Sequence, residues 1–384
     1  MEFTRAAFGS WNGGRFMNYG EPLSDERWIE LARRAYALGV RTFLTADVYG
    51  AGAADTLLGR ALAGIPRDSY CLVGLIGHDF YSAKRDGAKG FPRFTDSRLR
   101  APNDFANYLR MATERSLERC RTDHFDLLML HNPDQIGYTS DRVWTALEKL
   151  RETKLTERLG VAPGPANGFT LDLILCFERF GALLDWGIII LNPFEPWPGS
   201  LVLPAAVQHE VKLMTRVVDY GGVFHGDVRP GHVFGASDHR AFRPAGWVEA
   251  ADAKLELLRP IAERHHLTPL QLACVWCWQQ PAVQCVVPTL MQEVGEGTKS
   301  VETKLEELAG TPDVTLTPEE LEVIARVGEN RGCMLLKGAS AQHVGEPLPD
   351  QWKLSDELRA LGERWRIDPQ KDLAYCHAPE AAHR

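Results

Sequence analysis

Short apolar runs rich in β-branched residues alternate along this chain with longer amphipathic stretches. That alternation is typical of a parallel sheet whose strands are joined by crossover helices. Eight segments have the character of strands: 4–9, 41–46, 70–76, 125–131, 158–162, 187–192, 211–218 and 283–288. Most of them are followed by a helical pattern, so the sequence predicts an α/β protein with a closed (β/α)8 barrel of the TIM type.

The length of the chain is compatible with one large domain. A chain of 384 residues with 45% hydrophobic residues can bury a single core, and barrels of this kind commonly fill such a length. We assign residues 1–330 to the barrel and residues 331–384 to a polar C-terminal extension. Trp352, Trp365 and Ile367 predict that this extension docks on the barrel, and its last residues, 378–384, are expected to be disordered.

Charge and hydropathy exclude several classes of partner. The net charge of −8 and the pI near 5.9 come without a basic stripe, so we expect no nucleic acid. No apolar run reaches the roughly 18 to 20 residues that span a bilayer, and the N-terminus lacks a signal-peptide pattern. We therefore expect a cytoplasmic protein, with no membrane partner, that acts on a small molecule. The sequence leaves the oligomeric state open.

The eight cysteines fall mostly inside apolar strand or helix patterns. Such positions favour reduced, packed thiols over the disulfide framework of a small secreted domain. Cys274 and Cys277 have the spacing of a zinc or redox pair, but they lie in a helical apolar run without a second pair nearby. We expect both to pack as small hydrophobic residues.

Candidate functional residues gather where the predicted strands end. Tyr49, His131 and Asn192 each lie at or just beyond the end of a strand, and in a barrel the carboxyl ends of all strands surround one mouth. Two connections at this mouth are unusually long, 77–103 and 219–247. Long connections in a compact domain are more often functional than spacers.

Several segments resemble a known family in order and spacing. Residues 43–50 read Phe-Leu-Thr-Ala-Asp-Val-Tyr-Gly, residues 74–77 read Gly-Leu-Ile-Gly, and residues 126–134 contain Leu-His-Asn-Pro. With 116–127 and 159–161, they resemble the aldo-keto reductase superfamily over most of the chain, from Thr4 to Val327. The resemblance implies the barrel of that family and NAD(P)H-dependent reduction of a carbonyl.

The same resemblance implies a catalytic role for two residues. In that family a tyrosine protonates the carbonyl oxygen as hydride arrives, a histidine orients the carbonyl, and an Asp–Lys pair lowers the pKa of the tyrosine. The matching positions here are Tyr49 and His131, whereas Leu44 and Leu75 stand where the aspartate and the lysine belong. Losing both partners replaces an ion pair by an apolar contact without stranding either charge. We predict that the pair was exchanged as a unit.

The positions that hold the cofactor in that family also differ. Residues 162–164 read Ala-Pro-Gly where the family has Ser-Asn, and Asn192 replaces a glutamine. Residues 288–291 read Pro-Thr-Leu-Met in place of Pro-Gly-x-Arg, and 303–304 read Thr-Lys in place of Glu-Asn. The sequence therefore gives little support to NADP or NAD as a cofactor.

Basic residues elsewhere could take over if a dinucleotide does bind. The candidates are Arg216, Lys299 and Lys304. Glu293 and Glu296 lie close to them in the sequence and would repel a 2′-phosphate.

The long connection after the seventh strand is dense in titratable groups. Its candidates for substrate binding or acid–base chemistry are Asp219, Tyr220, His225, Asp227 and His232. The competing interpretation is a solvated loop whose Asp and His side chains cap turns. Imidazoles and carboxylates also bind metals, but the spacing lacks a His-x-His or His-x-x-x-His pattern. No metal is expected, and a site formed by His225, Asp227 and His232 is only an alternative.

Four residues near the strand ends are candidates for the mouth, and a fifth, Asp47, lies beside them in the sequence. His78 follows the position of the lost lysine and could partner Tyr49. Glu195 and Trp197 could line the pocket together with Asn192, although simple packing of the tryptophan is the commoner outcome. Asp47 precedes Tyr49 by two residues, and we expect its side chain to point away from the mouth.

Three functions remain open on the sequence alone. The first is a non-redox enzyme, a lyase, dehydratase or isomerase, in which Tyr49 and His131 transfer protons on a small polar or carbonyl-bearing molecule. The second is an NAD(P)H-dependent carbonyl oxidoreductase with a modified set of catalytic residues. The third is a protein that binds a metabolite without turning it over.

Overall fold

The computed structural model describes residues 1–11, 19–85, 90–164, 169–235, 238–243, 245–330 and 354–373. Eight parallel strands form its sheet: β1 Ala7–Gly9, β2 Thr42–Ala46, β3 Cys71–Ile76, β4 Leu127–His131, β5 Leu159–Ala162, β6 Trp186–Ile190, β7 Lys212–Arg216 and β8 Val283–Val287. They pair in sequence order, and a parallel bridge between Ala6 and Val286 joins the last strand to the first. The predicted (β/α)8 barrel is confirmed, and each predicted segment overlaps one observed strand.

Helices cover the outside of the sheet. In the described ranges they are α1 Asp25–Ala37, α2 Ala53–Ala61, α3 Phe105–Cys120, α4 Gln135–Thr139, α5 Asp141–Glu152, α6 Phe169–Phe180, α7 Leu203–Gln208, α8 Trp247–Arg264, α9 Pro269–Trp278, α10 Val301–Ala309, α11 Pro318–Gly328, α12 Asp356–Trp365 and α13 Pro369–Leu373. Local signals set several of their starts. Thr268, for example, caps α9 by accepting from the Gln271 N–H, while the Gln271 side chain accepts from the Thr268 N–H.

The alternation of side chains along each strand produces two apolar layers. Inward-facing residues such as Leu44, Leu75, Met129 and Met214 pack together inside the barrel. Outward-facing residues pack against the helices in a larger cluster. Burying each aliphatic side chain stabilises the fold by roughly 1.5–3 kcal/mol, so the barrel interior is a packed core and leaves functional groups to its rim.

Both long connections that the sequence predicted are present. The first runs from the end of β3 to α3, and within its described part His78 forms an antiparallel bridge with Arg93. The second runs from β7 to α8 and contains two short 3₁₀ turns, Tyr220–Gly222 and His239–Phe242. Both follow carboxyl ends of strands, so both border the mouth.

The described part of the C-terminal extension contacts α6 on the outside of the barrel. The Trp365 Nε1 donates to Glu178 at 2.8 Å, and Arg364 lies 2.6 Å from the same carboxylate. Arg179 pairs with Glu357 at 2.5 Å. Trp352 and 378–384 lie outside the described residues, and the division of the chain at residue 330 stays a prediction.

Six cysteines fall within the described ranges, and all six are buried free thiols. Burial raises the pKa of Cys277 to about 12, which keeps its thiol protonated and unreactive. Within the same ranges, no helix has the length and apolar character needed to cross a membrane.

Candidate active site

Strand alternation brings two polar side chains to the rim of the barrel interior. His131 follows Met129 by two residues on β4, and Arg216 follows Met214 by two residues on β7, while both methionines face the interior. Tyr49 joins them from the turn after β2, where its backbone N–H donates to the Ala46 carbonyl at 3.0 Å. The structure therefore places all three at one mouth.

Tyr49 lies in an apolar and aromatic environment. Its ring lies 4.3 Å from the Trp11 ring and 5.6 Å, edge to face, from the His131 ring, measured between centroids. Leu44 and Leu75 belong to the same buried cluster as Tyr49. Burial raises the pKa of the Tyr49 phenol well above its usual range, and the Arg216 charge offsets that only in part. The phenol is therefore a neutral hydrogen-bond donor.

Two histidines lie side by side at the mouth. The His78 and His131 rings have centroids 5.2 Å apart. The Nδ1 of His78 lies 3.0 Å from the Phe91 carbonyl, so it carries the proton and donates. The Nε2 of His78 then accepts from the Asn132 amide at 3.1 Å. His78 thus holds Asn132 beside His131. The sequence predicted that His78 could partner Tyr49, but both of its ring nitrogens have other hydrogen-bond partners.

Both imidazoles are neutral near physiological pH. Burial and the Arg93 charge lower the pKa of His78 to about 3. Burial, followed by His78 and Arg216, lowers the pKa of His131 well below its usual value. The His131 Nδ1 is buried and has no hydrogen-bond partner among the described residues. His131 is therefore a neutral group with one nitrogen still unsatisfied, which is typical of functional sites.

Arg216 extends across the mouth from β7 towards the end of β5. Its Nη2 donates to the Pro163 carbonyl at 2.7 Å, and its Nε is buried without a partner in the described structure. Burial lowers the pKa of Arg216, and the charges that act on it in the opposite sense are those of tyrosines, Tyr49 foremost. The guanidinium is a positive charge that acts on both Tyr49 and His131.

The two leucines that prompted the sequence hypothesis are packed core residues. Leu44 is 6% exposed and Leu75 is 3% exposed. Leu75 pairs in register with Ala46, two residues beyond Leu44 on the adjacent strand. Their replacement of a catalytic Asp–Lys pair stays a prediction, and an unpaired charge at either buried position would be unfavourable.

The connection after β7 folds over a buried ion cluster. Arg240 is 2% exposed. Its Nη2 donates to Asp238 at 2.7 Å and to Glu293 at 3.0 Å, and its Nη1 donates to Glu293 and to the Gly221 carbonyl. Burial opposes the charge, but the two carboxylates raise the pKa of Arg240 above its usual value. The connection is therefore solvated only in part: residues 229–231 are exposed, and Asp219 and Asp238 cap 3₁₀ turns, as the competing interpretation held.

The candidates on this connection have internal partners. Asp219 accepts from the N–H groups of Thr289 at 2.7 Å and Gly222 at 3.2 Å, which ties the loops after β7 and β8 together. His225 donates its Nε2–H to the Thr289 carbonyl at 2.8 Å, and burial lowers its pKa to about 3. His232 lies 3.7 Å from Glu293. Their observed contacts are structural.

Asp227 does not join His225 and His232. Its carboxylate lies 2.5 Å from the Lys304 ammonium, which is buried, and accepts from the Lys299 N–H at 2.9 Å. Over the described ranges, the one group of three potential ligand side chains within 4.8 Å is His124, Asp126 and Glu157. It lies where β4 and β5 begin, and its Asp126 already accepts from Arg67 and the Leu72 N–H. The alternative metal site on the loop was therefore wrong.

Asn192 and Glu195 form the wall of the mouth after β6. The Asn192 Oδ1 accepts from the N–H groups of Phe194 and Glu195 at 2.9 Å each, and its amide donates to Glu195 at 3.0 Å. Arg243 lies 3.8 Å from Glu195 and stacks on the Tyr220 ring at 4.7 Å. Asn192 thus fixes a turn, and Glu195 balances a buried arginine.

Trp197 also has a structural environment. It is 3% exposed, and its backbone exchanges two hydrogen bonds with the Asn330 side chain at 3.0 and 2.8 Å. Packing, the commoner outcome for such a tryptophan, is what the structure gives.

The Asp47 side chain belongs to a network with Tyr81 and Arg119. The Tyr81 hydroxyl lies 3.4 Å from its carboxylate and accepts from Arg119 at 2.7 Å. Arg119 also contacts Asp55. Burial and the Asp55 charge raise the pKa of Asp47 well above its usual value. This buried network lies between the barrel and α3 and does not reach the mouth.

Sequence reasoning missed three residues of the mouth. Trp11 and Asn132 were not singled out, and Arg216 was considered only as a contact for a dinucleotide. The signal for Arg216 was available, because its position two residues after Met214 on β7 predicts an inward-facing side chain. Trp11 and Asn132 lie in connections, where no periodicity indicates direction.

The residues around these loops do not fit a dinucleotide held as the resemblance implies. Lys304 and Lys299 are committed to Asp227 and Glu307. A Cβ at Gly222 would lie 2.8 Å from Val228 and 3.2 Å from Glu293, so the chain's own side chains cover the glycine turn after β7. A pyrophosphate there would have to displace carboxylates from their cations. The predicted cofactor contacts through Lys299 and Lys304 are therefore not supported.

A closed eight-stranded parallel barrel with polar side chains at the carboxyl ends of its strands is the architecture of TIM-barrel enzymes. The Aldo/keto reductase family model matches residues 7–307. This chain belongs to the aldo-keto reductase family.

Relatives and solved structures agree with that assignment. "Probable aldo-keto reductase 1" from Glycine max is 24% identical over 295 residues, which cover 75% of this chain and 79% of the relative. A glycerol dehydrogenase from Gluconobacter oxydans has a TM-score of 0.67 at 22% identity and covers 92% of this chain and 96% of its own. An aldo-keto reductase from Klebsiella pneumoniae in complex with NADPH has a TM-score of 0.57 at 20% identity over 85% of this chain and 91% of its own. Similarity at these identities establishes the fold.

Proposed function

We propose that this chain is an enzyme that binds a small carbonyl-bearing molecule at the barrel mouth and polarises its carbonyl through Tyr49. The observation that carries the proposal is the neutral Tyr49 phenol, held between Trp11 and His131 at the rim of an apolar barrel. A phenol whose pKa is raised by burial donates a hydrogen bond without losing its proton. A low-dielectric site strengthens that bond to a developing oxyanion.

The reaction type that best fits these groups is proton transfer without net hydride exchange, as in a lyase, dehydratase or isomerase. Tyr49 donates to the carbonyl oxygen, the Arg216 charge stabilises the negative charge that develops there, and His131 accepts a proton from the neighbouring carbon. The lowered pKa of His131 makes it a weak base, so we expect proton removal to be the slow step. The paired cations around the mouth support this choice over reduction by a dinucleotide.

A second candidate is NAD(P)H-dependent carbonyl reduction. Family membership favours it, as does a relative from Pseudomonas sp named D-threo-aldose 1-dehydrogenase. Bound NADPH would supply the hydride. Tyr49 would still donate the proton, without the ammonium group that the resemblance leads one to expect beside it.

The experiment that separates the two candidates has two arms. In the first, NADPH and NADH are titrated into the full-length protein while tryptophan fluorescence and melting temperature are followed, because a ligand of the native state must stabilise it. In the second, a series of aldehydes and 2-oxo acids is incubated with the protein in D₂O, and proton NMR follows deuterium uptake at the carbon next to the carbonyl. Deuterium uptake without cofactor binding supports the proposal. Cofactor binding with ketone turnover would replace it by the second candidate.

Replacement of Tyr49 by phenylalanine tests the role of the hydroxyl. We expect Tyr49→Phe to lower deuterium uptake about 10²- to 10⁴-fold, the usual contribution of a positioned acid, with an unchanged melting temperature. Tyr36→Phe is the matched control, since Tyr36 donates to Ser69 away from the mouth. A Tyr49→Phe protein as active as the control would contradict the proposal, and a wild type inactive on every compound would favour a metabolite-binding protein.

A further inference from the structure

Arg216 differs from the other buried cations near the mouth. Arg240 has Asp238 and Glu293, Arg243 has Glu195, and Lys304 has Asp227. In the described structure the side chain of Arg216 has one partner, the Pro163 carbonyl, and its Nε is buried and unsatisfied. Among the described residues, this one arginine at the centre of the mouth therefore lacks the counter-charge that its neighbours have.

The residues paired with Arg216 in the sheet do not explain why this position carries a charge. Its strand neighbours, Ile190 on β6 and Val287 on β8, are both apolar. The side chain reaches past β6 to the residue after β5, so it spans the opening rather than lining one wall. Burying a cation without an anion is unfavourable by several kcal/mol. A guanidinium does not escape by losing its proton.

The atoms left unsatisfied around Arg216 form a set that a ligand could complete. The Nε of Arg216, the Nδ1 of His131 and the Oδ1 of Asn132 are all buried without a hydrogen-bond partner in the described structure. His131 in turn contacts the Tyr49 ring. An anion on Arg216 would therefore lie in the same opening as the phenol and the imidazole.

We infer that Arg216 binds the carboxylate of the substrate, and that the substrates are small 2-oxo acids or closely related carbonyl-bearing carboxylic acids. The inference rests on the proposed function and deepens it by naming a second group of the substrate, a carboxylate next to the carbonyl, where Arg216 can also stabilise the charge that develops on the carbonyl oxygen. A guanidinium presents a planar fork that matches the two oxygens of a carboxylate. Arg240, another buried guanidinium in a loop beside the mouth, is paired with two carboxylates in this way.

Binding measurements on the full-length protein test the inference. Isothermal titration calorimetry is performed with pyruvate, 2-oxobutyrate, 2-oxoglutarate and phenylpyruvate, and with pyruvamide as the uncharged counterpart. We expect at least one acid to bind the wild type about tenfold or more tightly than pyruvamide. Arg216→Met should weaken that acid about 10- to 100-fold, the range for a charge-assisted hydrogen bond, and Arg216→Lys should fall between. Arg229→Met is the matched control, because Arg229 is half-exposed and pairs with Asp252.

Thermal unfolding separates a binding role from a structural one. Because Arg216→Met removes an unpaired buried charge, we expect the ligand-free variant to melt at the same temperature as the wild type or higher. A clear drop in melting temperature would mean that Arg216 supports the fold, and the inference would be wrong. It would also be wrong if none of the acids bound, if pyruvamide bound as tightly as the acids, or if inorganic phosphate bound more tightly than all of them.

The catalytic proposal and this inference fail in different ways. Tyr49→Phe should keep the affinity for the acid within a few-fold of the wild type while losing deuterium uptake. If Tyr49→Phe stays active but Arg216→Met loses binding, the proposed function is wrong and the carboxylate site stands. If Tyr49→Phe is inactive and Arg216→Met binds the acid normally, the carboxylate site is wrong and the proposed function stands.

Discussion

The centre of the barrel mouth and the loops beside it differ in how their buried charges are paired. In the loops, Arg240 lies between Asp238 and Glu293, and Lys304 lies against Asp227. At the centre, Tyr49 and the two histidines are neutral, and Arg216 has no carboxylate partner among the described residues. The cations of the loops are thus neutralised by nearby carboxylates, whereas Arg216 and His131 at the centre each keep a buried nitrogen without a partner in the described structure.

This difference teaches that a high density of titratable residues does not by itself locate a site. The segment 219–240 attracts attention in the sequence because it holds three histidines and several aspartates, yet its described members mostly satisfy one another. The centre of the mouth contains fewer such groups, but the Nε of Arg216, the Nδ1 of His131 and the Oδ1 of Asn132 have no hydrogen-bond partner in the described structure. Unsatisfied buried atoms are the stronger indication of ligand binding.

The largest effect is expected when the loop cluster is broken. Glu293→Gln leaves the buried Arg240 with Asp238 as its only carboxylate, and breaking a buried pair typically destabilises a protein by about 3–5 kcal/mol. Urea unfolding followed by far-UV circular dichroism measures the change. The control is Asp252→Asn, which breaks the partly exposed pair with Arg229 and should cost less than about 1 kcal/mol. Equal effects in the two variants would show that the loop charges are not interdependent as described.

A double-mutant cycle at the two leucines gives the next largest effect. Leu44→Asp and Leu75→Lys each place a charge in the packed interior and should each destabilise the protein strongly. Together they should pair, so that the double variant is more stable than additivity predicts by about 1–3 kcal/mol. The neutral pair Leu44→Asn and Leu75→Met is the control and should be additive. Additivity in the charged cycle as well would mean that the two positions do not face each other, and the idea of an exchanged ion pair would fail.

The smallest effect is a change in pH dependence at His225. Burial and the Lys304 charge lower the folded-state pKa of His225 to about 3, whereas an unfolded histidine titrates near 6.5. Below about pH 6.5 the unfolded chain takes up a proton that the folded chain refuses, so stability falls as the pH drops towards 3. His225→Gln keeps a donor for Thr289 and should reduce that slope by up to about 1.4 kcal/mol per pH unit. Urea midpoints between pH 4 and 7 measure it.

The exposed His266→Gln provides the reference for that slope and should leave the profile unchanged. If the profile of His225→Gln runs parallel to that of the wild type, the imidazole is not held neutral by its surroundings. The pH dependence would then give no support to the difference between the paired charges of the loops and the unpaired Arg216 at the centre.

The strands were predictable because their pattern is local. Apolar runs at 70–76 and 125–131 are bounded by turn residues, and the period of two that orients Met129 inward also orients His131. Tyr49 and His131 could be named from the spacing of motifs along the chain. Arg216 could be placed on the inward face by the same period, although its lack of a counter-ion could not be foreseen.

Contacts between distant segments were not predictable. Arg240 and Glu293 lie in separate loops, and the side chain that pairs with Lys304 comes from the connection after β7. No property of a single sequence indicates which carboxylate will neutralise which cation, because that choice depends on how two loops fold over each other. For this reason the interpretation of 219–240 as a solvated, turn-capping loop did not include the buried ion cluster around Arg240.

The packing of Trp11 against Tyr49 has a stereochemical consequence. Because the indole lies 4.3 Å from the phenol ring, tilted by 58°, it blocks its own side of Tyr49, and a bound molecule reaches the hydroxyl from the side of His131 and Arg216. A planar carbonyl so approached presents one of its two prochiral faces, and any new asymmetric carbon formed there would have a single handedness.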